Sequence, residues 1–146
     1  MWSRRLLLLA LVPALLALAG CGGPDIAFDA TGGDYTSDTL QTYLADANLG
    51  GLDDMDVAEA PEARRTMLAG LRSRGDAASE VADLLTRGFP DGIAAVPVRA
   101  EAATVDGGEV WLVVEVWGDE TGPLTHRRLW VFNRSDGSVI TALSLR

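Results

Sequence analysis

Residues 6–19 carry only Leu, Ala, Val and one Pro, and no later stretch is as uniformly apolar. The run is shorter than the roughly 20 apolar residues a helix needs to cross a bilayer core. Residues 22–37 show no period: Gly, Asp and Thr dominate, with scattered apolar positions. That composition predicts a flexible acidic tether, with a coil span of about 20–25 Å.

A helical period begins after it. Leu40, Tyr43, Leu44 and Ala47 recur at the i, i+3, i+4, i+7 spacing, with Asp38 and Gln41 as a capping box and Gly50-Gly51 as a stop, which predicts a helix over 38–47. Pro61 suits a first helical turn, and Ala63, Met67, Leu68 and Leu71 form an inward stripe, predicting a second helix over 61–73. Asp76 caps a third over 77–87, with Ala77, Val81, Leu84 and Leu85 inward and Gly88-Phe89-Pro90 ending it.

From Ile93 the period falls to two. Val96, Val98, Ala100 and Ala102 alternate with Pro97, Arg99, Glu101 and Ala103, a half-buried strand in which Pro97 demands an edge or a bulge. Asp106-Gly107-Gly108 signals a hairpin turn. The next strand, 109–117, has Val110, Leu112, Val114 and Val116 on one face and Glu109, Trp111, Val113, Glu115 and Trp117 on the other. Residues 125–133 and 138–145 form a second hairpin around Ser135-Asp136-Gly137, with Gly137 in the left-handed position of a bulged turn.

The expectation is an α+β domain over 38–146, with three N-terminal helices packed on one face of a four-stranded antiparallel meander. This order of elements is similar to cystatin-like and NTF2-like folds, in which a curved sheet wraps a helix. No sequence motif carries the similarity, and such an analogy implies no function.

The apolar run acquires meaning from its flanks. Arg4-Arg5 precede it, and it ends in Leu18-Ala19-Gly20-Cys21. Positive segment, short apolar core and small-residue end have the form of an export signal. The last four residues resemble the lipobox of bacterial lipoproteins. Small side chains at Ala19 and Gly20 let the extended backbone enter a peptidase cleft, and the Cys21 thiolate is the nucleophile that takes up diacylglycerol. Ser3-Arg4-Arg5 also touches the twin-arginine pattern, but the Leu-rich core favours the general secretory route. The resemblance implies removal of residues 1–20 and lipid on Cys21. The chain would then be held on the extracytoplasmic face of a bacterial membrane. Gly22 is not the Asp of an inner-membrane retention signal, so in a two-membrane cell the outer membrane is expected. Two or three acyl chains, at about 0.8 kcal/mol per buried CH₂, would make the attachment effectively permanent.

Cys21 is the only cysteine, so the mature chain has no disulfide and no cysteine metal ligand. Without its first 20 residues the chain has 126, enough for one domain with a modest core. Ten of its twelve Arg remain against twenty-one acids, a formal charge of −11. Residues 21–62 hold ten of those acids and no base. This disfavours nucleic acid and anionic lipid headgroups as partners. There is no lysine anywhere, which excludes Schiff-base and pyridoxal-phosphate enzymes, P-loops and Ser-x-x-Lys acylases.

Candidate chemistry is sparse. The acidic stretch 53–59 lacks the Gly and Glu positions of a calcium loop and reads as a solvated loop favouring the next helix N-terminus. His126, the sole histidine, has no Gly-x-Ser-x-Gly partner and no thiol to share a zinc; at a strand start it is expected to be exposed. Glu101, Glu109, Glu115 and Glu120 are available as a carboxylate pair, or as cross-strand partners of Arg99, Arg127 or Arg128. Trp111, Trp117, Trp130 and Arg127 form the candidate face for a ligand or partner, unless the tryptophans pack under the helices. The reading is a lipid-anchored, non-enzymatic binding module for an envelope protein or small ligand, with no cofactor or metal. The alternatives are a small carboxylate-dependent hydrolase or transferase, and a structural subunit.

Overall fold

β3 (Ala95–Val105) is the strand on which the rest is assembled. The computed structural model describes residues 23–89 and 92–146, so the signal segment, the lipobox and Cys21 lie outside the described residues. β4 (Gly108–Trp117), β5 (His126–Asn133) and β6 (Val139–Leu145) follow β3 as an antiparallel meander. Both predicted turns form. Val105 pairs with Gly108 across a two-residue loop, in which Asp106 and Gly107 have φ of 49° and 81°. That left-handed pair matches the twist of the flanking strands. Gly137, at φ 72°, closes the second hairpin by donating from its N–H to the Asn133 carbonyl at 2.8 Å. The register of β3 on β4 shifts between Pro97 and Arg99, the bulge that Pro97 demanded.

The other edge of β3 corrects the sequence reading. β1 (Ala27–Asp29) and β2 (Asp34–Tyr35) pair parallel to it, giving a mixed six-stranded sheet rather than a four-stranded antiparallel one. Most of the expected tether is therefore part of the folded body, with Ile26 fully buried. Strands of three and two residues are too short to write an alternation into the sequence. They form because β3 presents unpaired backbone groups that must be satisfied: Thr104 N–H donates to Gly33 O at 3.1 Å, and Asp106 N–H to Tyr35 O at 3.0 Å.

Three helices precede β3: α1 (Leu40–Ala45), α2 (Ala60–Arg72) and α3 (Asp76–Gly88). A 3₁₀ turn, Ser37–Thr39, leads into α1, and the capping box is Thr36 with Thr39, not Asp38 with Gln41. In α2 the buried stripe is Ala60, Arg64, Met67, Leu68 and Leu71. Burying its Met and Leu side chains contributes about 1.5–3 kcal/mol each. α3 buries Ala78, Val81, Ala82 and Leu85.

The helices do not share a sheet face. α2 and α3 lie over the face carrying Trp111, Val113 and Glu115, held by Arg64 to Glu115 and by Trp111 to Glu80. α1 lies on the opposite face, where Tyr43 meets Arg99 and Glu101, and Arg127 donates to the Ala45 carbonyl. The N-terminal segment runs along the β3 edge before α1 begins, which carries that helix to the far side. Among the described residues no helix is long and apolar enough to cross a membrane.

Candidate functional site

Register decides which of the predicted site residues meet. Val113 pairs with Trp130, Glu115 with Arg128 and Trp117 with His126, so these six share the face under α2 and α3. Arg127 pairs with Val116 and points to the other face, because adjacent residues of a strand alternate sides. The arginine that joins the tryptophans is Arg128, with its guanidinium 4.8 Å from the Trp117 ring centroid and 5.2 Å from that of Trp130. Trp111 is apart from them. It is 1% exposed beneath α3, with its Nε1–H donating to Glu80 Oε1 at 3.2 Å and Arg134 over its ring. Of the four predicted residues, only Trp117 and Trp130 therefore form one half-buried surface.

Beneath that surface is a buried network the sequence did not reveal. Arg64 Nη1 donates to Glu115 Oε1 at 2.7 Å and to the Ala95 carbonyl at 3.0 Å, while Trp130 Nε1–H donates to Glu115 Oε2 at 2.8 Å. Phe89 fills the remaining side, 5.0 Å from Trp130 and 5.4 Å from the Arg64 guanidinium. The one sequence signal for this network was Arg64 lying four residues after Ala60 and three before Met67, on the apolar stripe of α2.

His126 is buried rather than exposed, packed 4.4 Å from the Trp117 ring, with Nε2 3.4 Å from Asp119 Oδ2. The four glutamates do not converge. Glu109 and Glu120 are exposed, and the buried pair, Glu101 and Glu115, lie on opposite faces of the sheet. Glu101 and Glu115 therefore cannot form a carboxylate pair with each other. Among the described residues no three His, Cys, Asp or Glu side chains gather as metal ligands.

The second buried carboxylate organises the face under α1. Glu101 Oε1 accepts from Gly33 N–H at 2.7 Å and from Tyr35 Oη at 2.8 Å. Oε2 accepts from Tyr43 Oη at 3.0 Å and Arg99 Nη2 at 2.8 Å. Burial by itself pushes this carboxyl up, but the Gly33, Arg99, Tyr35 and Tyr43 donors outweigh it and hold it below the ordinary carboxylate range. Burial, reinforced by the Glu101 charge, raises the Tyr43 phenol, so both partners keep their roles at neutral pH. Beside this cluster runs a groove of about 540 Å³ lined by Tyr35, Thr42, Tyr43, Asp46, Asn48 and Arg99.

One surface stands out for exposure. β6 pairs only with β5, and five of its seven residues are exposed, including Val139 at 52% and Ile140 at 56%. Compared with protein-family models, curated proteins and solved structures, the chain matches none of them.

Proposed function

We propose that this protein is exported, held to the outer face of a bacterial membrane by lipid on Cys21, and serves as a non-enzymatic binding module that takes an extended segment of another envelope protein along β6. The anchor rests on Arg4-Arg5, the apolar run and Leu18-Ala19-Gly20-Cys21. The binding role rests on one observation: β6 is an uncharged edge strand, from Val139 to Leu145, whose outer backbone groups have no strand beside them among the described residues. Folded proteins normally blunt such edges with charges, prolines or a covering element. Among the described residues β6 carries no charge or proline and no strand covers its outer edge, which is interrupted by a bulge opposite Phe132.

An added strand would gain backbone hydrogen bonds from this edge, and selectivity from the side chains next to it. On the α2/α3 face those neighbours are Val139, Ala142 and Ser144, in register with Phe132, Trp130 and Arg128. Trp and Arg are the residue types that concentrate binding energy at interfaces. The anchor geometry agrees. Cys21 precedes the buried Ile26 by five residues, a reach of at most about 18 Å. β6 is four strand spacings from β1, roughly 19 Å across the sheet, at the edge away from the anchor.

Two experiments test this. With Cys21→Ser the precursor should accumulate unprocessed and leave the lipid-modified membrane fraction; a processed, membrane-bound product would remove the anchor. Val139→Lys with Ile140→Lys should cut recovery of the crosslinked envelope partner at least tenfold without changing the circular dichroism. Equal recovery would show that β6 is not the binding edge. A dimer in sedimentation velocity that the double variant abolishes would make the occupant a second copy of the chain.

A further inference from the structure

We infer that the groove between α1 and the β2–β3 edge is a second, separate binding site, and that its ligand is a neutral, hydroxyl-rich ring compound: a saccharide. Its volume, about 540 Å³, is in the range of small-molecule sites. One wall is aromatic and fixed in advance. Tyr35 and Tyr43 meet edge to face at 5.1 Å, and both hydroxyls are committed to Glu101, so their rings cannot turn away. An aromatic ring held this way offers an apolar platform for the C–H face of a sugar at little entropic cost.

The polar rim decides the ligand class. Asp46 and Thr42 have no side-chain hydrogen bond to a described residue. The Asn48 side-chain oxygen accepts from Gly50 N–H at 2.9 Å, which leaves its amide N–H groups to donate. Arg99, which lines the groove, uses Nε on Tyr43 and Glu101 and Nη2 on Glu101, leaving Nη1 without a hydrogen-bond partner among the described residues. The rim therefore offers both donors and acceptors, and a hydroxyl group can satisfy either. An anion is the weaker fit. The Arg99 charge is offset by Glu101 at 2.8 Å, and the exposed Asp46 adds a negative charge to the rim. Arg99 is half-buried with its charge paired to the buried Glu101, so the groove lacks the uncompensated cation a carboxylate or phosphate needs.

The ligand is longer than one ring. Asn48 and Arg99 also line an adjoining depression of about 260 Å³ that continues toward Asp25 and Leu52. Two shared polar residues at the junction suit an oligomer whose units occupy both hollows.

The test uses the full chain in a sugar-free detergent, titrated with cello-, malto- and chito-oligosaccharides of one to four units. Binding is read by saturation-transfer NMR and calorimetry, with succinate and inorganic phosphate as the anionic arm. The expected result is saturable binding of at least one series, tighter for two or more units than for one. Asp46→Ala and Asn48→Ala, both at exposed positions, should each weaken it at least tenfold, and Val139→Lys should leave it unchanged. The proposal is overturned if no oligosaccharide binds, if both rim variants bind as the parent does, or if succinate or phosphate binds more tightly. Loss of binding with Val139→Lys would place the saccharide at the β6 edge and overturn it too.

Discussion

Replacing Glu115 with alanine is expected to cost about 3–5 kcal/mol, because it removes one partner of a buried ion pair and leaves the other charged and dry. Arg64 is 5% exposed and Glu115 1%, so water cannot take over from the missing carboxylate without opening the contact between α2 and the sheet. The substitution also strips Trp130 Nε1–H of its acceptor. For a domain whose total stability is about 5–15 kcal/mol, that is a large share. It should be read as a lower urea midpoint with an unchanged slope. The double variant Arg64→Met, Glu115→Leu should recover most of the loss, since an apolar pair of similar volume avoids desolvating both charges. A loss below about 1 kcal/mol for Glu115→Ala would mean that the pair is solvated, and the packing of α2 described above would be wrong.

The second large effect depends on pH. Glu101 is held below its ordinary value in the folded chain, so it binds a proton less readily there than when unfolded. Its stabilisation is therefore complete above the unfolded carboxylate range, about 4.3 for Glu, and disappears as pH falls through the folded value. At pH 7, Glu101→Gln should be less stable than the parent by about 2–4 kcal/mol, because an amide presents a donor where Arg99 and two phenols also donate. That difference should shrink as pH falls below about 4.3 and vanish below the folded value. The same loss should appear in hydrogen exchange as earlier opening at the Gly33 amide, whose acceptor is Glu101, and along β1 and β2. A parent–variant difference that stays constant from pH 7 to pH 3 would rule out the ionised carboxylate as the cause.

Much of the architecture was legible locally. The helices α2 and α3, the strands β3, β4 and β5, the Asp106-Gly107 turn and the left-handed Gly137 are all found, but β3 and β4 are buried on both faces rather than half-buried, and α3 buries Ala78 and Ala82 where Ala77 and Leu84 were expected. The misreadings occur where partners are remote in the chain. Residues 27–35 read as tether because their strand partners lie about seventy positions away, at Arg99 to Val105. Arg64 was absent from the expected inward stripe of α2 because its partner, Glu115, lies fifty-one residues later in the chain. The predicted binding face paired the tryptophans with Arg127 rather than Arg128, since a one-residue difference in strand phase reverses the side of the sheet.

Three helices and four strands, though not β1 and β2, are written in local pattern, and a linear motif gives the expected address at Cys21. Both are written in residues a few positions apart: a helix stripe repeats within eight residues, a hairpin turn needs two, and a lipobox four. Long-range pairing makes residues 27–35 a sheet edge, carries α1 to the other face, and leaves the outer edge of β6 without a strand beside it among the described residues. Those outcomes depend on backbone groups and charges finding partners across fifty to seventy residues. No local pattern encodes such pairings, because the chain between the partners only has to be long enough to let them meet.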